Sequence, residues 1–220
     1  MNFLEYSDRD MLAIDVANQI AGDLKGALLH HETVSLAVPG GTTPGAIFDN
    51  LCAALLDWDR VHVLPTDERC VPVTDERSNG RMIMDRLFVG KAAEATFLPL
   101  YDPFDEQPDA PAVILERELP LSVLLLGMGA DMHTASLFPG MDNLQAALSA
   151  NAPVLVLAQP NSQPEDRISM SAPVLNGALS KHLVVFGTEK RDAFERALTL
   201  PPEEAPITSV LDSMTVHWAE

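Results

Sequence analysis

The sequence predicts an α/β protein with three layers, in which a mostly parallel, twisted sheet is covered by helices on both faces. Short runs of four or five apolar residues recur along the chain, and segments with helical apolar patterns separate them. Strands that are apolar throughout are buried on both faces, which is typical of parallel sheets with helical crossovers. Because 47% of the 220 residues are hydrophobic, one such core can form, and we predict a single domain over residues 1–220.

The first half of the chain alternates helix and strand. Apolar residues recur every fourth position from Leu12 to Leu28, which is a helical period, and Asp8 precedes them as an N-cap. The apolar run VSLAV then ends at a Pro-Gly-Gly turn, a pattern that is typical of a buried strand. A second apolar helix follows, the run VHVL is another strand, and Ser78 would cap a third helix. These patterns predict helices over 8–30, 44–56 and 79–88 and strands over 34–38 and 61–64.

The second half repeats this alternation. The runs VLLL, VLVL and LVVF are apolar throughout, and VLLL ends at a Gly-Met-Gly turn. A last apolar run near the C-terminus predicts an edge strand, and the segment 102–111, rich in proline and acidic residues, predicts a surface loop. The predicted strands cover 123–126, 154–157, 183–186 and 214–218, and the predicted helices cover 173–180 and 189–199.

Composition excludes several classes of protein. The net charge is −18, and an acidic chain is poorly suited to bind the phosphates of nucleic acid. The N-terminus has no basic segment followed by an apolar one, and no apolar run approaches the roughly 18 residues that span a bilayer. Cys52 and Cys70 lack metal-site or redox spacing, so we expect free thiols in a reducing compartment. We therefore expect a cytoplasmic protein that binds neither nucleic acid nor membranes.

Candidate functional residues follow the ends of predicted strands, where open parallel sheets bind ligands. The segment PGGTTP at 39–44 offers a close backbone approach and hydroxyl groups at a helix start, which fits a phosphate cradle or an ordinary turn. The segment TDER at 66–69 fits a ligand site or a solvated charged loop. Arg167 and Lys190 also lie beside strand or helix ends, and each could bind phosphate or be a surface charge.

The segment GMGADMHTASLFPG at 127–140 is the strongest candidate. It places His133 in a turn after a buried strand, and an imidazole suits proton abstraction near neutral pH. Ser136 lies nearby, but the absence of a G-x-S-x-G motif disfavours a serine nucleophile. No second histidine stands at metal-ligand spacing from His133. The other histidines are interpreted as structural; they are His30 and His31 at a helix end and His62, His182 and His217 in or beside strands.

Taken in order, these segments resemble the 6-phosphogluconolactonase family over about residues 34–190. Family members carry a GG[ST]TP loop, a DER segment followed by Ser-Asn, a GxGxDGHTASLFPG segment and an [RK]-[IV]-[ST] segment. The matching positions are 40–44, 67–69 with 78–79, 127–140 and 167–169.

The resemblance implies a fold shared with amino-sugar-phosphate and ribose-phosphate isomerases. It implies hydrolysis of 6-phospho-D-glucono-1,5-lactone, the second step of the pentose phosphate pathway, without a metal or organic cofactor. It further implies that His133 activates the attacking water and that Asp67 orients His133 or the substrate. The residues implied to hold the phosphate are Gly40, Gly41, Thr42, Thr43, Arg69 and Arg167.

One position departs from the family pattern, and two alternatives stay open. The family has glycine where this chain has Met132, and methionine would fit poorly if the position needed a positive φ or room for the sugar. This departure favours a non-catalytic sugar-phosphate-binding relative as one alternative. The other is an amino-sugar-phosphate isomerase or deaminase, whose MDEY and HIAFNEP segments are replaced here by TDER and HTASLFP.

We expect a monomer or a small homo-oligomer.

Overall fold

The structure is a computed structural model that describes residues 1–104, 109–159 and 164–220. Its strands are β1 (Asn2–Glu5), β2 (Val34–Val38), β3 (Val61–Pro65), β4 (Asp67–Arg69), β5 (Thr96–Phe97), β6 (Val123–Gly127), β7 (Leu155–Ala158), β8 (Arg167–Met170), β9 (Ser180–Phe186) and β10 (Thr215–Ala219). Its α-helices are α1 (Arg9–Leu28), α2 (Gly45–Leu51), α3 (Asn79–Leu87), α4 (Ala110–Arg117), α5 (Leu144–Leu148), α6 (Ala172–Asn176) and α7 (Thr188–Ala197).

Two sheets organise these elements. The larger has seven strands in the order β1-β10-β9-β6-β2-β3-β5, and every neighbouring pair is parallel. The smaller has the order β4-β8-β7 and is antiparallel. Thr66 joins the two sheets, because its N–H donates to the Val38 carbonyl at the end of β2 and its carbonyl accepts from Met170 N of β8.

The large sheet is covered on both faces, as the sequence predicts. Along β6, Leu124 and Leu126 belong to one buried apolar cluster, and Val123 and Leu125 belong to another. The first cluster includes residues of α4, α5, α6 and α7, whereas the second includes residues of α1, α2 and α3. Alternate side chains of a strand point to opposite faces, so the three-layer prediction is confirmed.

Most predicted elements are present near their expected bounds. Asp8 caps α1 by accepting a hydrogen bond from Met11 N, and Ser78 caps α3 by accepting one from Arg81 N. Helix α2 is shorter than predicted and ends at Leu51. The helix predicted over 173–180 is also shorter, because β9 begins at Ser180. None of the described helices combines the length and apolar character needed to cross a membrane.

Several predictions about strands are wrong. The segment TDER is not a solvated loop, because its last three residues form β4, and Arg167–Met170, where no strand is predicted, forms β8. Strand β10 is internal, since the unpredicted β1 lies outside it. Strand β7 belongs to the small antiparallel sheet. Of the loop predicted at 102–111, residues 105–108 lie outside the described residues, and α4 begins at Ala110.

Candidate active site

A cavity of about 210 Å³ opens where the ends of several strands meet. Its walls come from the loop after β2, the arginines of β4 and β8, the turn after β6 and the first turn of α7. The lining residues used below are Gly40, Gly41, Thr43, Asp67, Arg69, Asn79, Gly129, His133, Ala135, Arg167 and Lys190. The position agrees with the rule that open parallel sheets bind ligands beyond the carboxyl ends of their strands.

His133 is held by a carboxylate two residues before it. Its Nδ1 lies 2.5 Å from Oδ1 of Asp131, and its backbone N–H donates to the same oxygen at 3.3 Å. The hydrogen bond from His133 keeps the pKa of Asp131 below its usual value. The other side of the imidazole stacks on Phe138, with ring centroids 4.4 Å apart. The ring is therefore fixed by one polar and one aromatic contact while it faces the cavity.

The turn that carries this pair is tight. Gly129 N donates to the His133 carbonyl, and Met132 N donates to the Gly129 carbonyl, each at 3.0 Å. A Cβ atom on Gly129 would stand 2.3 Å from His133 Cε1 and 2.5 Å from Asp131 Oδ1, so a residue without a side chain is required there. The glycine and the histidine are thus one geometric unit.

Met132 occupies a position that methionine was expected to fit poorly. Its φ is 68°, within the left-handed region, so the backbone does take the conformation that glycine favours. Its side chain does not line the cavity but packs against the apolar cluster on the α4–α7 face of the sheet. Met132 therefore leaves the cavity open.

Asp67 is buried and lines the cavity, so its role in orienting the substrate stays a prediction. Its Oδ2 accepts a hydrogen bond from Ser136 Oγ at 2.5 Å and lies 3.8 Å from Arg167 Nη1, and its Oδ1 accepts from Thr66 Oγ1 at 3.1 Å. The carboxylate that contacts His133 is Asp131 and not Asp67. Ser136 is fully buried, which also disfavours it as a nucleophile.

The contacts of Glu68 indicate a structural role rather than a catalytic one. Its carboxylate accepts hydrogen bonds from the backbone N–H groups of Asn79, Gly80 and Arg69 and from Ser78 Oγ, at 2.7–2.9 Å. Two of these N–H groups belong to the first turn of α3, where a carboxylate is favourable. Glu68 thus fixes α3 against β4, and Asn79 at the start of α3 donates from Nδ2 to the Asp67 carbonyl at 2.8 Å.

Three cations border the cavity. Arg69 and Arg167 are direct partners in the antiparallel register of β4 and β8, so their side chains share one face. Burial lowers the pKa of Arg167, and the neighbouring charge of Arg69 lowers it further. Arg69 Nη1 also donates to the Arg77 carbonyl, and Lys190 extends the same wall from α7. In a chain of net charge −18, these residues form a local cationic site.

The loop after β2 supplies backbone to the cavity. Gly41 has φ 82°, and Gly40 approaches Asn79 so closely that a Cβ atom would stand 1.8 Å from Asn79 Oδ1. Gly40, Gly41 and Thr43 line the cavity, whereas Thr42 is exposed and does not belong to the lining. The loop therefore contributes two of its glycines and one of its two threonines to the site.

The sequence analysis does not identify Asp131 as a site residue, and it leaves open whether Lys190 binds phosphate. The signal for Asp131 was its place two residues before a candidate base, in a turn bounded by glycines.

Cys52 and Cys70 are free, as expected. In the described ranges, no group of three or more His, Cys, Asp or Glu side chains is arranged to hold a metal ion.

Comparisons with known proteins agree with this geometry. The family model described as glucosamine-6-phosphate isomerases/6-phosphogluconolactonase matches residues 7–218. A 6-phosphogluconolactonase of Rhizobium meliloti (strain 1021) is 35% identical over 224 residues, which cover 97% of each chain. The crystal structure of a 6-phosphogluconolactonase from Shewanella baltica OS155 superposes with a TM-score of 0.94 at 30% identity, covering 100% of this chain and 98% of that one.

A more distant structure has the same fold. A monomeric glucosamine-6-phosphate deaminase superposes with a TM-score of 0.80 at 17% identity, covering 100% of this chain and 98% of its own. This likeness bears on the fold alone, and it confirms the prediction that the fold is shared with amino-sugar-phosphate enzymes. With the family model matched over nearly the whole length, the chain belongs to the glucosamine-6-phosphate isomerase/6-phosphogluconolactonase family.

Proposed function

We propose that this protein hydrolyses 6-phospho-D-glucono-1,5-lactone to 6-phosphogluconate, with His133 as the general base. The observation that carries the proposal is an Asp131–His133 pair that opens onto a cavity lined by Arg69, Arg167 and Lys190. A base supported by a carboxylate can activate water, and clustered cations can hold a phosphate. The names of the relatives described above supply the substrate class.

The chemistry of the pair follows from its proton positions. The ionised carboxylate of Asp131 accepts a hydrogen bond from the Nδ1–H group of His133, and this hydrogen bond keeps the pKa of Asp131 below its usual value. The Nε2 atom then carries the lone pair and can take a proton from water as the oxygen attacks the lactone carbonyl carbon. When the tetrahedral intermediate collapses, the ring C–O bond breaks, and the imidazolium returns the proton to the leaving ring oxygen. The product carboxylic acid then ionises to solvent.

The phosphate would bind on the cationic wall. Arg69 Nε is buried and finds no hydrogen-bond acceptor among the described residues, so a ligand oxygen would satisfy a donor that is otherwise costly to bury. Gly40 and Gly41 bring backbone close to the same cavity, and Thr43 adds a hydroxyl. We therefore assign Gly40, Gly41, Thr43, Arg69, Arg167 and Lys190 to phosphate binding and leave Thr42 outside this set.

Asp67 acts on the binding site rather than on the base in this proposal. Its carboxylate lies beside Arg167 and accepts a hydrogen bond from the Ser136 hydroxyl group, so it fixes the turn after β6 to the two arginines. A substrate made of a phosphorylated sugar is confined by its charge to the compartment in which it forms, and we propose the cytoplasm as the site of action.

The direct test is lactone hydrolysis coupled to oxidation of the product by 6-phosphogluconate dehydrogenase. Wild type is expected to exceed the spontaneous rate, and His133→Ala is expected to lose roughly a hundredfold or more in kcat. His62→Ala is the matched control, because His62 is bonded to Glu118 outside the cavity. If wild type binds 6-phosphogluconate but only matches spontaneous hydrolysis, the protein is a sugar-phosphate-binding relative, and the proposal is wrong.

A further inference from the structure

Met132 lies between the two members of the proposed catalytic pair, and its side chain takes no part in the proposed chemistry. Its φ of 68° places the backbone in a region where the Cβ of an ordinary residue crowds a neighbouring carbonyl oxygen. Asp131 precedes it and His133 follows it. A residue in such a conformation persists when its surroundings hold it there.

Contacts of three kinds hold Met132. Its N–H closes the turn onto the Gly129 carbonyl at 3.0 Å, and its carbonyl accepts a hydrogen bond from Ile207 N at 3.2 Å. Its partly buried side chain packs against the apolar cluster that includes Ile207 and Val210. Both of these residues belong to the 3₁₀ turn Pro206–Val210, so Met132 ties the His133 turn to a segment near the C-terminus.

The position of the imidazole depends on this turn. The backbone N–H and the ring Nδ1 of His133 both contact Oδ1 of Asp131, which requires a local turn of the chain at residue 132. The side chain of His133 is 29% exposed, and its other ring contact is with Phe138. An opening of the turn at residue 132 would therefore separate Nδ1 from its carboxylate and leave the Phe138 contact to hold the ring.

We propose that Met132 is a positioning residue, which holds His133 in its catalytic orientation by anchoring the left-handed turn to the apolar cluster through its side chain. The inference rests on the proposed function, because it assigns Met132 a share in kcat through His133. Met132 does not line the cavity, so substrate affinity does not depend on it.

Three substitutions separate packing from backbone conformation. Met132→Leu keeps an apolar side chain of similar volume without a branch at Cβ and should retain kcat within about twofold, since such swaps are tolerated best. Met132→Ala removes the anchor and keeps the strained φ, and it should lower kcat by roughly tenfold or more, because small misplacements of reacting groups are costly. Met132→Gly removes both anchor and strain, and its loss should be smaller than that of Ala. KM should change by less than about twofold in all three.

Two control variants match these changes elsewhere in the chain. Met214→Ala removes a buried methionine from the same apolar cluster, and it should lower the melting temperature without lowering kcat. Ser213→Gly relieves a positive φ of 53° at an exposed residue and should leave kcat unchanged. If Met132→Ala lowers only the melting temperature, as Met214→Ala does, Met132 is structural and the inference is wrong.

A second readout does not require turnover. In a ¹H–¹³C spectrum of the intact protein, the Cε1–H signal of His133 should be single and sharp in wild type and in Met132→Leu. It should be broadened or doubled in Met132→Ala, because the freed ring exchanges between orientations. An unchanged signal in Met132→Ala contradicts the inference. If wild type does not hydrolyse the lactone, the proposed function fails, and this spectrum alone decides the role of Met132.

Discussion

Gly129 and His133 fit together with no space for a further atom, since a Cβ on Gly129 would stand 2.3 Å from both Cε1 and Nδ1 of the imidazole. The ring and the Asp131 carboxylate can keep their contact only while position 129 carries no side chain. The identity of this glycine is thus set by the histidine and not by its own backbone conformation.

Gly129→Ala should therefore displace the imidazole and lower kcat by roughly a hundredfold, as expected for a misplaced catalytic group. Steady-state kinetics of lactone hydrolysis measure the effect. Gly22→Ala is the control, because a Cβ there meets nothing within 4 Å, and its helical site should gain about 0.5–1 kcal/mol of stability with no change in kcat. Full activity in Gly129→Ala would show that the ring has an equivalent second position.

Asp131→Asn should lower kcat about ten- to a hundredfold and leave KM nearly unchanged. The amide keeps the size of the carboxylate, but it removes the charge that stabilises the imidazolium and offers no fixed acceptor for the Nδ1 proton. Asp75→Asn, which changes an aspartate paired with Arg77 outside the cavity lining, is the control. Equal kinetics for Asp131→Asn and wild type would exclude Asp131 from the proposed pair.

Arg69→Gln and Lys190→Gln should each raise KM for the phosphorylated lactone by about tenfold or more. A hydrogen bond between charged groups contributes about 1.5–3 kcal/mol, and each variant removes one such donor from the cavity wall. Neither should alter the slow hydrolysis of unphosphorylated glucono-1,5-lactone. Lys91→Gln, at an exposed lysine outside the cavity, should match wild type. An equal loss of activity on both lactones would mean that Arg69 and Lys190 do not bind the phosphate group.

The stability of the fold should fall as pH drops from about 6.5 toward about 4, because burial and the neighbouring His182 lower the pKa of His217 from 6.5 to about 4. His217 is fully buried, and its Nδ1 lies 2.9 Å from Tyr6 Oη and its Nε2 3.0 Å from His182 Nδ1. In this window the unfolded chain binds a proton that the folded chain does not, which destabilises the folded state.

The expected loss is about 3 kcal/mol, complete near pH 4 and absent above pH 7, as the difference between the two pKa values requires. Urea titrations across the range measure it in wild type and in His217→Gln. The variant starts less stable, because its hydrogen bonds change, but its pH dependence in this window should be smaller. Identical slopes in the two proteins would assign the acid sensitivity to other groups.

The sequence predicts the large sheet well because its central strands are apolar on both faces. VSLAV and VLLL are such runs, and both lie at the centre of the sheet. Strands β1 and β5 escape prediction because they lie at the two edges and are short or half-exposed. Strand β4 escapes it because Asp67 and Glu68 are charged, and their burial is stabilised by partners that are distant in sequence, such as Ser136.

The sequence predicts individual residues of the site, but it does not predict which of them contact one another. His133 stands out in the sequence by its turn and its chemistry, and the structure places it in the cavity. Its partner, however, is the nearby Asp131 rather than Asp67, since a turn with a positive φ at Met132 brings residues two apart into contact. The glycines of this segment indicate a turn, but the residue types do not show that the turn brings these two side chains into contact.

The pairing of Arg69 with Arg167 has a consequence for incomplete molecules. These residues come together because β4 pairs with β8, and the two strands belong to opposite halves of the chain. A nascent or clipped chain that ends before β8 holds the glycine loop and one arginine but lacks the opposing one. Ligand binding stabilises only a folded state that contains the complete site. The phosphorylated substrate would therefore stabilise full-length molecules, and truncated molecules would stay open to proteolysis.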